Sequence, residues 1–151
     1  MRNQVGAPYF AFVQLSVKSD YAARAVLALA RAYQHQRAVR VEELAKQHGI
    51  SSNYLVQILI TLKSKQIVRS QRGKEGGYLL ARPPAEISLG DILRSVHGET
   101  FDSPALSDPL CPVELREAWR RLKHDIDEAA NRLTFQDLLD ASENKGKMYY
   151  I

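Results

Sequence analysis

The stretch Val41-Glu-Glu-Leu-Ala-Lys-Gln-His-Gly49-Ile-Ser-Ser-Asn-Tyr-Leu55-Val-Gln-Ile-Leu-Ile-Thr-Leu62 decides the fold. Its apolar residues recur at helical spacing on both sides of one glycine. Val41, Leu44 and Ala45 share the inner face of a short helix, and Leu55, Ile58, Leu59 and Leu62 that of a second. Ala45 is small where the two helices must cross. Gly49 can adopt the left-handed conformation that ends the first helix within one residue, and Ser51 or Ser52 can cap the second. The pattern meets the separate demands of a tight helix-turn-helix together.

Downstream, Ile67 to Ser70 and Tyr78 to Ala81 read as two short strands around Gln-Arg-Gly-Lys-Glu-Gly-Gly, a hairpin or wing. Gly73, Gly76 and Gly77 let such a tip bend and approach a nucleic-acid backbone, and Arg72 and Lys74 charge it. Outward from this pair, a first helix is expected from about Lys18 to Gln36. Ser19 or Asp20 lies near its cap, and Tyr21, Ala25, Val26, Leu29 and Ala30 form its apolar face. Pro83-Pro84 breaks the chain after the wing. A short helix then runs from Ser88 to His97, with Leu89, Ile92, Leu93 and Val96 inward. Phe101 to Pro112 holds three prolines and no periodicity, and reads as a loop. Leu115, Trp119, Leu122, Ile126, Ala129 and Leu133 mark a long amphipathic helix whose stripe has no partner in so small a domain, which makes dimerisation its natural use. Thr134 can cap a last helix through Leu138 and Leu139, and the end from Glu143 is expected to fray.

The residues Leu15-Ser-Val-Lys-Ser-Asp-Tyr-Ala22, Leu44-Ala-Lys-Gln-His-Gly-Ile-Ser51, Tyr54-Leu-Val-Gln-Ile-Leu59, Arg72-Gly-Lys-Glu-Gly-Gly-Tyr78 with Leu80-Ala-Arg82, and Ile87-Ser-Leu-Gly-Asp-Ile92 resemble the Rrf2 family of bacterial transcription regulators, from about Leu15 to Leu139. The resemblance implies a homodimeric winged-helix regulator in which each protomer donates a long C-terminal helix to its partner. The expected fold class is therefore mostly α, a winged helix-turn-helix with a small β-hairpin wing. The expected division is an N-terminal extension over 1–14, a DNA-binding domain over 15–97, a loop over 98–112, dimerisation helices over 113–142 and a tail over 143–151.

Length and composition permit this reading. The chain has 151 residues, 45% hydrophobic and 25% charged, enough for one core and an ordinary surface. No apolar run approaches the roughly 20 residues that span a bilayer. The first fourteen residues lack a long apolar core ending in a small-residue cleavage site. The expectation is a cytoplasmic protein without a membrane partner. The net charge is +4, unevenly spread: residues 40–82 hold eight Lys/Arg against three acidic residues, whereas 83–151 hold eight against thirteen. The basic part coincides with the proposed DNA-binding part.

For recognition of double-stranded DNA, the second motif helix offers Ser51, Ser52, Asn53, Tyr54 and Gln57. Asn and Gln suit adenine in the major groove, and the hydroxyls suit base edges or phosphates. Ser52 as a simple cap and Tyr54 as a packing residue are the competing readings. In the family, the residue two places beyond this tyrosine is acidic in some members; here it is Val56, which can touch a thymine methyl at most. The resemblance places Arg72 in the minor groove or on a phosphate, beside Gly73 and Lys74. Lys63, Lys65, Arg69 and Arg40 are further phosphate candidates.

Many members hold an iron–sulfur cluster with three cysteines in the loop before the long helix. This chain has one cysteine, Cys111. Three-thiolate ligation from one protomer is excluded, and no resident cofactor or metal is expected. Three readings of Cys111 stay open: an inert thiol, a redox sensor, or one ligand of a mixed set in a dimer with His35, His97, Asp102, Asp108 or Glu114. The histidines His35, His48, His97 and His124 show no catalytic spacing, so an enzyme is not expected. A rival class is a winged-helix protein-interaction module, which would favour an apolar recognition helix and an uncharged wing. The operator, the regulated genes, the sign of regulation and the effector are not legible in the sequence.

Overall fold

The protein was analysed as a computed structural model that describes residues 15–149. In chain order it contains α1 (Val17–Tyr33), α2 (Val41–His48), α3 (Ser52–Ser64), β1 (Val68–Gln71), β2 (Gly77–Leu80), α4 (Leu89–His97), α5 (Val113–Arg132) and α6 (Phe135–Tyr149). Short 3-10 turns lie at Pro84–Glu86 and Pro104–Leu106. Among the described residues no helix is long and apolar enough to cross a membrane. The expected extension over 1–14 lies outside the described residues.

One core gathers most of the elements. Ala22, Ala25, Val26 and Leu29 of α1 meet Leu44 of α2, Leu55, Ile58, Leu59 and Leu62 of α3, Val68 and Leu80 of the hairpin, Ile87, and Ile92 of α4. The crossing of α2 and α3 works as the spacing predicts: Ala45 is buried, and Gly49 ends α2 at φ 63°. The two strands pair antiparallel, Val68 opposite Leu80 and Arg69 opposite Leu79. A third backbone segment joins them, because the Val39 amide donates to the Tyr78 carbonyl at 2.9 Å and the Tyr78 amide to the Val39 carbonyl at 2.8 Å. The wing is thereby tied to the start of the helix-turn-helix.

Several boundaries differ from expectation. The cap of α1 is Ser16, whose hydroxyl accepts from the Ser19 amide, so the helix starts before Lys18. Ser19 is instead buried, and its hydroxyl lies 2.9 Å from His97 Nε2 at the end of α4. The same helix stops at Tyr33 because Gln36 turns left-handed (φ 49°), letting the Arg37 amide donate back to the Ala32 carbonyl. Gln66 (φ 60°) ends α3 in the same way, with the Ile67 amide donating to the Leu62 carbonyl. The proline-rich loop contains the turn at Pro104–Leu106, capped by Ser103.

The largest departure concerns the C-terminus. Thr134 and Asp137 cap α6 reciprocally, each side chain accepting from the other's amide at 3.1 Å. The helix continues to Tyr149, through the stretch expected to fray. Its Phe135 is fully buried and Leu139 nearly so, both within the same core as α1. The backbone follows: the Phe135 amide donates to the Ile87 carbonyl at 2.9 Å, and the Leu89 amide to the Leu133 carbonyl at 2.8 Å. By contrast, no residue of α5 is buried.

Candidate nucleic-acid interface

Helix α3, the expected recognition helix, is fixed from inside. Leu55, Ile58, Leu59 and Leu62 are completely buried, and the Ser51 hydroxyl caps the helix by accepting from the Tyr54 amide at 3.2 Å. Ser51 is therefore the cap, which leaves the exposed Ser52 hydroxyl unspent among the described residues. Asn53, Gln57 and Ile60 follow at helical spacing on the open side. Ile60 is 51% exposed and was not singled out from sequence, because periodicity assigns apolar residues to the core by default. Val56 is half-buried beside them.

Tyr54 does double duty. Its ring packs edge-on against Tyr21 of α1, with centroids 6.1 Å apart and planes at 77°, yet it stays 38% exposed. The Arg24 guanidinium lies over Tyr21 at 5.7 Å and pairs with Asp20 at 2.8 Å. Sequence reasoning missed Arg24 and Tyr21 as neighbours of the recognition helix, since only the fold brings α1 against α3. The charges of Arg24 and Arg31 also reach His48 at the end of α2. Partial burial, and then these two cations, push the His48 imidazole below its ordinary value.

The wing tip is the second part of the site. Arg72, Gly73 and Lys74 are exposed, and Gly73 takes φ 105° at the turn, where the Gly76 amide donates to the Gly73 carbonyl at 3.0 Å. The other two glycines serve the protein's own packing. A Cβ on Gly77 (φ 150°) would stand 2.5 Å from the Val39 carbonyl oxygen, and one on Gly76 would stand 2.6 Å from that of Gln71. Of the three, only Gly73 leaves open space where a Cβ would stand.

The remaining cations divide. Arg40 donates to the Lys74 carbonyl at 2.7 Å, so it holds the tip in place. Lys63 donates to the Ser70 hydroxyl at 2.8 Å, bracing the hairpin on α3. Arg69 sits on the opposite face of β1 from Ser70, turned away from α3. Arg72, Lys74 and Lys65 make no side-chain bond among the described residues. The field of the acidic residues nearby is reduced as well, because Arg37 grips Glu43 with two hydrogen bonds (3.0 and 3.3 Å) and holds its carboxyl below the usual range.

Cys111 lies half-buried in the loop before α5. Its amide donates to the Asp108 carbonyl at 3.1 Å, and Arg116 Nη2 donates to the carbonyls of Asp108 (3.0 Å) and Cys111 (2.9 Å). Among the described residues no group of three or more His, Cys, Asp or Glu side chains comes together. His97, one of the expected mixed ligands, points its Nε2 at Ser16 and Ser19. The residues of one protomer do not fit an iron–sulfur cluster.

Comparison with known proteins identifies the family and the fold. The family description "Rrf2: Iron-dependent Transcriptional regulator" matches residues 15–141. A Mycobacterium tuberculosis protein inferred to be an HTH-type transcriptional regulator is 35% identical over 131 residues, 83% of this chain and 81% of the relative. Among solved structures, CymR, the global cysteine regulator of Bacillus subtilis, superposes with a TM-score of 0.76 at 28% identity, covering 86% of this chain and 98% of CymR. IscR of T. potens gives 0.73 at 31% identity, covering 91% and 97%.

Proposed function

The chain belongs to the Rrf2 family of transcriptional regulators, a non-enzymatic class, and from that premise we propose that it represses transcription as a cytoplasmic homodimer bound to a palindromic operator. In this reading α3 enters the major groove, where Asn53 and Gln57 address base edges while Ser52 and the Tyr54 hydroxyl take phosphates. Arg72 and Lys74 carry the wing onto the adjacent backbone or minor groove, with Gly73 allowing close approach. The observation that carries the reading is the joint anchoring to one core of an α3 face that exposes Ser52, Asn53 and Gln57 and of a cationic wing tip held by Arg40. The homodimer is supported by Leu115 (44% exposed) and Leu122 (41%) of α5 and by Leu133 (47%) just past its end, exposed leucines that a second copy would cover symmetrically. Two recognition helices related by that symmetry call for an operator with the same symmetry.

The test is fluorescence anisotropy of promoter duplexes titrated with the protein at several salt concentrations, together with sedimentation equilibrium. The expected result is a dimer whose log affinity falls linearly with log salt, as released phosphate counterions require. Absence of binding to any duplex at low salt would reject DNA as the partner and leave a protein-interaction module.

A further inference from the structure

A cleft of about 530 Å³ opens on the face of the hairpin away from α3, walled by the end of α1, the outer side of the wing, the Pro83-Pro84 turn and the first turns of α6. Its volume falls within the roughly 300–1,000 Å³ common for small-molecule sites. The alternation of the strands builds it. Val68 and Leu80 face the core, so their neighbours Arg69 and Leu79, paired across the hairpin, face outward together. Leu79 is nevertheless only 5% exposed and lies outside the main core cluster. It forms an apolar floor, to which Leu139 and Pro84 contribute.

The polar groups around that floor are one-sided. Among the described residues Arg69 is the only charged one that lines the cleft, and none of them lines it with a carboxylate. Among the described residues its guanidinium makes neither an ion pair nor a hydrogen bond, so its donors are free to face the cleft. Tyr33 brings a hydroxyl, and Gln34 and Gln36 bring amides. Gln136 donates one amide hydrogen to Asp140 at 2.9 Å and retains a second. A fixed cation beside a leucine floor, ringed by neutral donors and acceptors, matches a carboxylate on a short apolar body. The planar guanidinium holds a carboxylate with two parallel hydrogen bonds, which an ammonium cannot do.

We propose that this cleft binds a small organic carboxylate, with Arg69 as its anchor and Leu79 as its floor. The ligand would touch both the root of the wing and the start of α6, so it stands where the hairpin and the C-terminal helix meet. The binding measurement needs no DNA, and its failure is therefore distinct from failure of the operator-binding reading.

The experiment is chemical-shift titration of the 15N-labelled full chain with benzoate, 4-methylpentanoate and N-acetylleucine at millimolar concentrations, each beside its uncharged carboxamide. The expected result is saturable movement of the Leu79 and Gln136 amides with at least one carboxylate, and none with its carboxamide. Arg69→Gln should weaken that binding about tenfold or more, as loss of a charge-assisted pair implies. Lys65→Gln, an exposed cation outside the cleft, should leave it as in the wild type. The proposal is overturned if no carboxylate moves those amides, if the carboxamides bind equally well, or if Arg69→Gln binds like the wild type. Equal weakening by Lys65→Gln would also overturn it, by assigning the effect to diffuse surface charge.

Discussion

Helices α3 and α5 carry the same kind of apolar stripe and meet opposite fates. In α3 the leucines and isoleucine of the stripe are fully buried, whereas Leu115 and Leu122 of α5, and Leu133 just past its end, are each more than two-fifths exposed. Periodicity fixes which side of a helix is apolar, but it does not say what will cover that side. For α3 the cover is α1, α2 and the hairpin. For α5 the described chain covers the stripe only in part: Trp119 and Ile126 are half-buried, while the leucines stay exposed. The loop before it is tied down by polar contacts at its edge, where Lys123 reaches Glu99 and the Phe101 carbonyl, and Thr100 meets Asp127.

Truncation separates the two helices most widely. Leu62→Ala should cost about 2–5 kcal/mol of stability, the usual range for a buried leucine in a core that cannot collapse. Leu122→Asp should barely change folding but shift sedimentation toward the monomer. A Leu122→Asp protein that stays dimeric would place the dimer contact elsewhere. Next in size is Gly77→Ala, where the new methyl meets the Val39 carbonyl and the backbone is one that side chains avoid. A loss of about 1–3 kcal/mol is expected in thermal unfolding; an unchanged midpoint would mean that the hairpin root yields without cost.

The comparison also sharpens at the wing. Arg72→Ala should weaken operator binding by about 1–3 kcal/mol if its side chain makes a specific contact. Stability should be unaffected, because Arg72 is exposed and makes no side-chain bond among the described residues. Anisotropy at fixed salt reads the difference, and unchanged affinity removes Arg72 from the interface. The smallest effect belongs to the helix ends. Gln66→Gly at φ 60° should stabilise the fold by about 0.5–1 kcal/mol, since the left-handed penalty for a side chain exceeds glycine's added entropy cost. Denaturant midpoints test it, and destabilisation would mean that the Gln66 side chain has a role of its own.

Much of this was readable before any coordinates. The turn at Gly49, the crossing at Ala45, the hairpin and the apolar stripe of α5 all follow from local spacing, because each is settled within one or two turns of chain. What escaped was non-local. Tyr54 meets Tyr21 and Arg40 meets Lys74 only after folding, so the spacing of each residue in its own segment carries no trace of its partner. Phe135 escaped for another reason. It stands alone after a capping threonine, and a lone aromatic gives no period to read. The segment after Glu143, rich in charge and holding a glycine, lacks the apolar repeat that would announce a helix, and its extension rests on the anchored start of α6.

The paired bonds between Val39 and Tyr78 have one more consequence. They join the wing to the residue next to the first motif helix, while the core holds the recognition helix independently, so the distance between the two is set by the protein and does not adapt. Such a molecule works as a caliper. In the proposed mode of binding, a duplex would be gripped by both jaws only where its groove spacing matches the gap, and sequences that narrow or widen their grooves would be sorted by shape at positions that no side chain reaches.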